Sequence, residues 1–234
     1  MRSFTLRGLT LTLPETALKG NLERALSSGR YENHEADALL LHLRPGDRLL
    51  DLGAGLGFIC ALAARVLGEG AVFGVEAGPE TMKLARKNLA ANGFPGVKLM
   101  RGAVVAKGEG EVEFGQRPAF WASALKGPEG WPENVEVIRV PARAIGKLLE
   151  RFQPTVICCD IEGGELAVLA EPLPGVRLVV VETHPQVYGA EGVERIVAGL
   201  VAQGFARAGG AKADTLVFGR GPQAPSSWDP SASG

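Results

Sequence analysis

The segment Asp51-Leu52-Gly53-Ala54-Gly55-Leu56-Gly57-Phe58 constrains the fold more than any other part of the chain. An apolar run, Arg48–Leu52, leads into it, and apolar residues at helical spacing follow from Phe58 to Leu67, stopped by Gly68. A strand that turns through alternate glycines into a helix is a βα unit built around close backbone approach. Gly53 allows the tight exit, Gly55 lets a ligand lie against the backbone, and Gly57 lets helix and strand pack closely. The spacing discriminates between ligands. Dinucleotide-binding turns read G-x-G-x-x-G, whereas this one reads G-x-G-x-G with Phe58 where the third glycine would stand. Asp51 precedes the loop, where it would repel a pyrophosphate. An acid there suits a cationic ammonium group, such as the methionine part of S-adenosylmethionine. Glu76 ends the next strand, from which a carboxylate accepts both ribose hydroxyls of an adenosine; it fits either cofactor. A plain tight turn does not account for strand, loop, helix and second-strand acid together.

Beyond the loop, apolar runs alternate with helical patterns, the signature of a βαβ series. Strands are expected over Ala71–Glu76, Val97–Val104, Thr155–Ile161 and Arg177–Glu182. Helices are expected from Pro79 to Asn92-Gly93 and over Arg143–Phe152, Gly164–Ala170 and Gly192–Gln203. Phe205–Arg207 and Thr215–Phe218 read as a closing hairpin. Glu111–Phe114 and Val135–Val140 alternate polar and apolar, as half-exposed antiparallel strands do. The loop between them carries Phe120, Trp121 and Trp131, which would line a substrate pocket or plug the sheet edge. Three regions follow: a helical flank over 1–43, one α/β domain over 44–221, and a Pro- and Ser-rich tail over 222–234 with the composition of disorder.

Composition narrows the function. Among 234 residues, 25 basic and 26 acidic side chains leave a net charge of −1, and no basic stripe interrupts their mixing. This argues against nucleic acid as a partner. The longest apolar runs are strand-sized and the N-terminus lacks the apolar core of a secretory signal, so no membrane partner is expected. Cys60, Cys158 and Cys159 sit in apolar patterns and read as small buried hydrophobes, which implies a reduced, cytoplasmic setting.

Two further constellations fall at strand ends. Asp160-Ile161-Glu162-Gly163-Gly164-Glu165 follows an apolar run, so Asp160 emerges at the carboxyl edge of the sheet, where open α/β sheets bind ligands. Glu162 shares its side, and Glu165 reads as satisfying free N–H groups at the following helix. Glu182 and His184 end the next strand on one side, and His is suited to take a proton near neutral pH. Asp160, Glu162, Glu182 and His184 are donor types for a divalent metal, but nothing in their spacing selects a ligand geometry, so no metal is assigned. Tyr31, Glu32, His34 and Glu35 precede the first strand by one helix, either closing over a cofactor or forming a solvated helix start.

These residues resemble the FkbM-type S-adenosylmethionine-dependent methyltransferases. The likeness spans roughly 31–184 and rests on Asp51–Phe58, Val75-Glu76-Ala77-Gly78-Pro79-Glu80, Arg86–Gly93, Asp160–Glu165 and Val181-Glu182-Thr183-His184. Gly78 and Gly164 depart from the family's usual residues. The resemblance implies a class I methyltransferase fold: a Rossmann-like three-layer sandwich with a seven-stranded sheet in the order 3-2-1-4-5-7-6, one strand antiparallel, to which the sequence adds a hairpin after the third strand. It also implies methyl transfer, most often to an oxygen of a sugar or related metabolite. S-adenosylmethionine is then the expected cofactor, held by Glu32, Asp51, Gly53, Ala54, Gly55, Gly57, Phe58, Glu76, Ala77, Gly102, Ala103 and Asp160. His184 or Glu162 would take the acceptor's proton, with Asp160 orienting cofactor or acceptor. A small-molecule acceptor is expected, and the oligomeric state is open. A nicotinamide-dependent oxidoreductase would instead bind NAD. A non-catalytic nucleoside-binding module would keep the loop and Glu76 yet tolerate loss of Glu162 and His184.

Overall fold

A computed structural model of the chain describes residues 1–18, 20–116, 124–125, 130–131 and 135–221. The tail over 222–234, Phe120 and Trp121 lie outside the described residues. Strands β1 (Arg2–Leu6) and β2 (Leu9–Leu13) form an antiparallel hairpin, followed by helices α1 (Asn21–Ser27) and α2 (Asn33–His42). The parallel series begins with β3 (Leu49–Leu52), α3 (Phe58–Leu67), β4 (Val72–Glu76), α4 (Pro79–Ala91) and β5 (Lys98–Arg101). An insertion follows, made of β6 (Ala103–Val105), β7 (Glu111–Gln116), β8 (Ala124–Leu125) and β9 (Glu136–Ala144). The chain then returns through α5 (Ile145–Phe152), β10 (Val156–Cys159), α6 (Glu165–Val168), β11 (Leu178–Glu182), α7 (Pro185–Ala202), β12 (Ala206–Arg207) and β13 (Thr215–Gly219).

Among the described residues, seven strands form the main sheet in the order β12-β13-β11-β10-β3-β4-β5, with β13 antiparallel to both neighbours. Read from the β5 edge this is the expected 3-2-1-4-5-7-6 order of a class I methyltransferase. The central strands are buried on both faces, as parallel strands between helix layers must be. Their side chains alternate between two cores: Leu49, Val156, Cys158, Leu178 and Val180 join the core under α3, and Leu50, Ile157, Cys159, Val179 and Val181 join the core under α5 and α7. All three cysteines are buried and unpaired. No helix among the described residues is long and apolar enough to cross a membrane.

Several elements differ from the sequence expectation, each for a local reason. The stretch expected as one strand over Val97–Val104 is two, split at Gly102 (φ +150°), where a side-chain carbon would stand 2.5 Å from the Pro141 carbonyl oxygen. The chain crosses there from the main sheet into a second sheet, β6-β9-β7-β8. β9 runs on to Ala144 because its end pairs in parallel with β6. α7 starts at Pro185, seven residues before the expected Gly192, with one non-helical residue at Gly189. The N-terminal flank is not helical throughout. Its hairpin is held by α4: Asn88 and Asn92, one turn apart, accept from the Thr12 and Thr10 backbone N–H groups at 2.9 and 2.8 Å. Asn88 also donates to the Leu56 carbonyl in the glycine loop at 3.1 Å, tying the hairpin's support to the loop.

Two arrangements position the carboxyl edge. Gly53 (φ +90°) lies against the end of β10, where any Cβ would overlap the Asp160 carbonyl oxygen. At the opposite edge Asp47, 6% exposed, accepts from the Arg44 N–H (2.7 Å), the Thr155 hydroxyl (2.8 Å) and the Arg177 guanidinium (Nε 2.8 Å), which also donates to the His42 carbonyl. That cluster joins the end of α2 to the entries of β3, β10 and β11. Replacing Asp47 by Ala leaves a half-buried guanidinium without its anion and is expected to cost about 2–4 kcal/mol in denaturant unfolding. Gly53→Ala combines a forbidden φ with a backbone overlap and should cost about 4 kcal/mol or more, read as loss of the folded baseline at 25 °C.

Candidate active site

A cavity of ≈ 320 Å³ opens at the carboxyl edge of β3, β4, β10 and β11, roofed by α1 and the turn before α2. This is where strand order reverses from β3-β4 to β3-β10, the place at which open α/β sheets bind ligands. Its floor is the glycine loop. The Gly53 and Ala54 N–H groups donate to the Val75 carbonyl (2.9 and 3.0 Å), pinning the loop's start to β4. Gly55 (φ +49°) faces the roof: a Cβ there would meet the Tyr31 hydroxyl at 3.0 Å and Glu32 Oε1 at 3.2 Å. Gly57 (φ +81°) serves a contact other than the expected helix–strand one, since its neighbour is Ala85 of α4.

Of the residues singled out from sequence, Tyr31, Glu32, His34, Glu35, Gly53, Gly55, Glu76, Ala77, Gly102, Ala103, Asp160, Glu162 and Glu182 line this cavity. Ala54, Gly57 and Phe58 do not; they support the loop from behind, with Phe58 in the core 6.2 Å from the Tyr31 ring. Asp51 also lies behind the loop, buried, accepting a hydrogen bond from the Cys60 thiol at 3.1 Å. His184 is 4% exposed and sits behind Asp160 and Glu162. Sequence reasoning missed Asn21, Leu22, Ala25 and Arg30 of the roof, as well as Thr81 and Phe114. Phe114 stands in a strand whose alternation was legible, but alternation does not say which cavity a strand's inner face meets. Of the roof, only Tyr31, Glu32, His34 and Glu35 stood out in the sequence, as residues that close over a cofactor or start a helix; α1 carries no motif.

The cavity's electrostatics are dominated by carboxyl groups. Glu76 accepts from the Gly55 N–H (2.9 Å) and the Gly78 N–H (2.7 Å), yet burial still raises its pKa to about 7. Burial raises Asp51 to about 7 against the Cys60 hydrogen bond. It holds Glu32 well above the carboxylate range, with Asp51, Glu35 and Glu182 adding to the rise. Asp160 is raised by burial and by Glu182 and Glu162. Glu182 is raised to about 7 by burial and by Glu35. Such a wall of carboxyl groups resists ionisation until a positive charge arrives, which is what a cationic ligand supplies.

At the β10 and β11 ends the carboxylates surround one imidazole. Glu162 adopts a left-handed backbone (φ +54°), and its Oε2 comes within 3.4 Å of His184 Nε2. Asp160 Oδ1 lies 3.6 Å from the same nitrogen and accepts no hydrogen bond from the described residues. Glu165 is fully buried and accepts from the Ile161 N–H (2.9 Å) and the Gly163 N–H (3.0 Å), satisfying the loop rather than the helix start proposed for it. Its Oε1 is also 3.2 Å from His184 Nδ1, off the direction of a hydrogen bond, so the contact is one of charge. Burial opposes a charged imidazole, but Glu165, Glu162 and Glu182 outweigh it and raise the His184 pKa to about 8.

Residues 43–108, from the entry of β3 past the cavity floor, match a family model described as a methyltransferase domain. An arsenite methyltransferase of Halobacterium salinarum is 43% identical over 63 residues, 26% of this chain and 16% of that protein. Protein-L-isoaspartate O-methyltransferase 2 of an Anaeromyxobacter species is 30% identical over 148 residues, 62% of this chain and 49% of that one. The chain thus spans less than half the length of these curated relatives. Among solved structures, an O-methyltransferase from Bacillus cereus is similar with a TM-score of 0.48 and 14% identity, covering 89% of this chain and 92% of that one. These curated relatives are named for methyl transfer, to acceptors that differ.

Proposed function

We propose that this chain is an S-adenosylmethionine-dependent methyltransferase of the FkbM type that methylates a hydroxyl oxygen of a small metabolite or sugar. The observation that carries the cofactor is the pairing of a G-x-G-x-G floor with Glu76 in a cavity walled by carboxyl groups. S-adenosylmethionine carries an ammonium and a sulfonium, whereas a pyrophosphate-bearing dinucleotide would meet those same acids with like charge. Gly53 and Gly55 would carry the cofactor against the backbone, Glu76 would hold the ribose, Gly102 and Ala103 would border the adenine, and Glu32 would close from the roof. Asp51, behind the loop, would act through its field on the methionine end.

When bound, the cofactor supplies a methyl group already activated by the sulfonium. The protein's own task is to align an acceptor oxygen, exclude water and receive the acceptor's proton. Asp160, Glu162 and His184 form the group of bases at the acceptor end, with Glu162 on the cavity wall and His184 behind it. A small acceptor is favoured by the cavity's size, and its acidic lining is the wrong sign for a phosphate backbone.

Calorimetric titration with S-adenosylmethionine and S-adenosylhomocysteine should give saturable binding with Kd on the order of micromolar, about −8 kcal/mol, while NAD gives none. Saturable NAD binding without either of the others would overturn the reading. Glu76→Ala removes hydrogen bonds from a carboxylate and should weaken S-adenosylmethionine by roughly tenfold to a hundredfold. The pH dependence has a definite sign. Asp51 and Glu76 titrate near 7 in the folded protein, above the unfolded value, so each is protonated in the native state at a pH where the unfolded chain has ionised. Stability of the ligand-free protein therefore falls as pH rises from 5 through 7. S-adenosylmethionine favours the ionised acids, so its affinity and the Tm increase it produces should grow from pH 6 to pH 8. S-adenosylhomocysteine, without the sulfonium charge, should show a shallower trend.

A further inference from the structure

We propose that Asp160, Glu162 and His184 form a binding site for a divalent transition-series cation, Mn²⁺ or Zn²⁺, at the rim of the cavity. The ion site stands on its own geometry; its role beside an acceptor rests on the methyltransferase reading. One donor atom from each residue lies within 4.8 Å of the others. The closest approaches, 3.4 Å from His184 Nε2 to Glu162 Oε2 and 3.6 Å to Asp160 Oδ1, match the roughly 3.4 Å between ligands each about 2.1 Å from a tetrahedral metal.

A second, independent observation comes from the far side of the ring. Glu165 is fully buried, accepts from two backbone N–H groups and stands 3.2 Å from His184 Nδ1. Glu165 beside Nδ1 favours a proton on that nitrogen, which leaves Nε2 as the ring atom able to ligate an ion. Nε2 is the ring atom that faces Glu162 and Asp160, and an ion there would take the place of the Nε2 proton that the surrounding carboxylates otherwise favour. His184 is nine-tenths buried, and Asp160 Oδ1 is buried with no hydrogen-bond donor among the described residues. A carboxylate behind the imidazole, with the other ring nitrogen facing hard donors, is the usual outer-shell support of a metal-bound histidine. Two carboxylates and an imidazole favour Mn²⁺ or Zn²⁺ over cations that take oxygen alone. Three protein donors leave the remaining coordination to water or to an acceptor oxygen, and with the ion in place its acidification of that oxygen would replace direct proton transfer to these side chains.

The test uses the full chain after chelator treatment, titrated calorimetrically with MnCl₂ alone and ZnCl₂ alone. One saturable site per chain is expected for at least one ion, weakened at least tenfold by Glu162→Gln and by His184→Gln. Glu162 is half-exposed, so Glu162→Gln carries the test if the buried His184→Gln does not fold, and thermal melts of both variants check this. Saturable binding by neither ion, or binding undiminished in the folded variants, overturns the proposal. A parallel titration with S-adenosylmethionine separates the two claims. Ion binding without cofactor binding upholds this site and sinks the cofactor reading; cofactor binding without ion binding does the reverse.

Discussion

The contact on which this architecture turns is the approach of Gly53 to the carbonyl of Asp160. β3 and β10 lie side by side in parallel register, and their exits must diverge into different loops at the same edge. With no Cβ at residue 53, the two backbones close until one lies directly on the other. This presses the glycine loop and the Asp160–Glu165 segment against a single cavity, one as its floor and the other as its acidic wall. Any side chain at 53 would separate them. The floor would lose its pinning to Val75, and Asp160 and Glu162 would move away from the cavity and from His184.

Electrostatics then decide what that cavity can hold. Five carboxyl groups from four separated segments, Glu32, Glu76, Asp160, Glu162 and Glu182, face one space; burial raises the pKa values of Glu32, Glu76, Asp160 and Glu182, and neighbouring acids add to the rise. A fold tolerates this concentration where positive charge comes with the ligand. Two cations are compatible with its two ends: the sulfonium and ammonium of the proposed cofactor along the glycine loop, and the proposed metal ion between Asp160, Glu162 and His184. Elsewhere the molecule pairs its buried charge internally, as Asp47 and Arg177 do at the opposite edge.

Much of the fold was legible because its periodicities are local. Strands buried on both faces appear as unbroken apolar runs, the glycine loop announces its own turn, and the closing hairpin follows from a short Gly-rich connection. The failures come where local signal and long-range pairing part company. Gly102 splits an apolar run because Pro141, some forty residues away, approaches it. The β1–β2 hairpin is too short to announce itself and is secured by Asn88 and Asn92, which from sequence read only as the end of a helix. Glu165 read as a helix-start acid because it stands where the following helix begins; its contact with His184 needs β11 beside β10.

The sheet's order was what the family resemblance implied; the sequence by itself determined the alternation of strands and helices, the glycine floor, and an acid at the end of each strand that borders the cavity. These follow from short-range chemistry: glycine's freedom of φ, the two-residue period of strands, and the emergence of a strand's last polar residue at its carboxyl edge. Only the tertiary structure decided which residues share a space. It placed Asp51 behind the loop beside Cys60, brought Tyr31 and Glu32 over Gly55, and gathered Asp160, Glu162, Glu165 and His184 within a few ångströms. The physical reason is that such convergence is set by strand register and by the closeness of backbones at a glycine, neither of which the spacing of residues along the chain encodes.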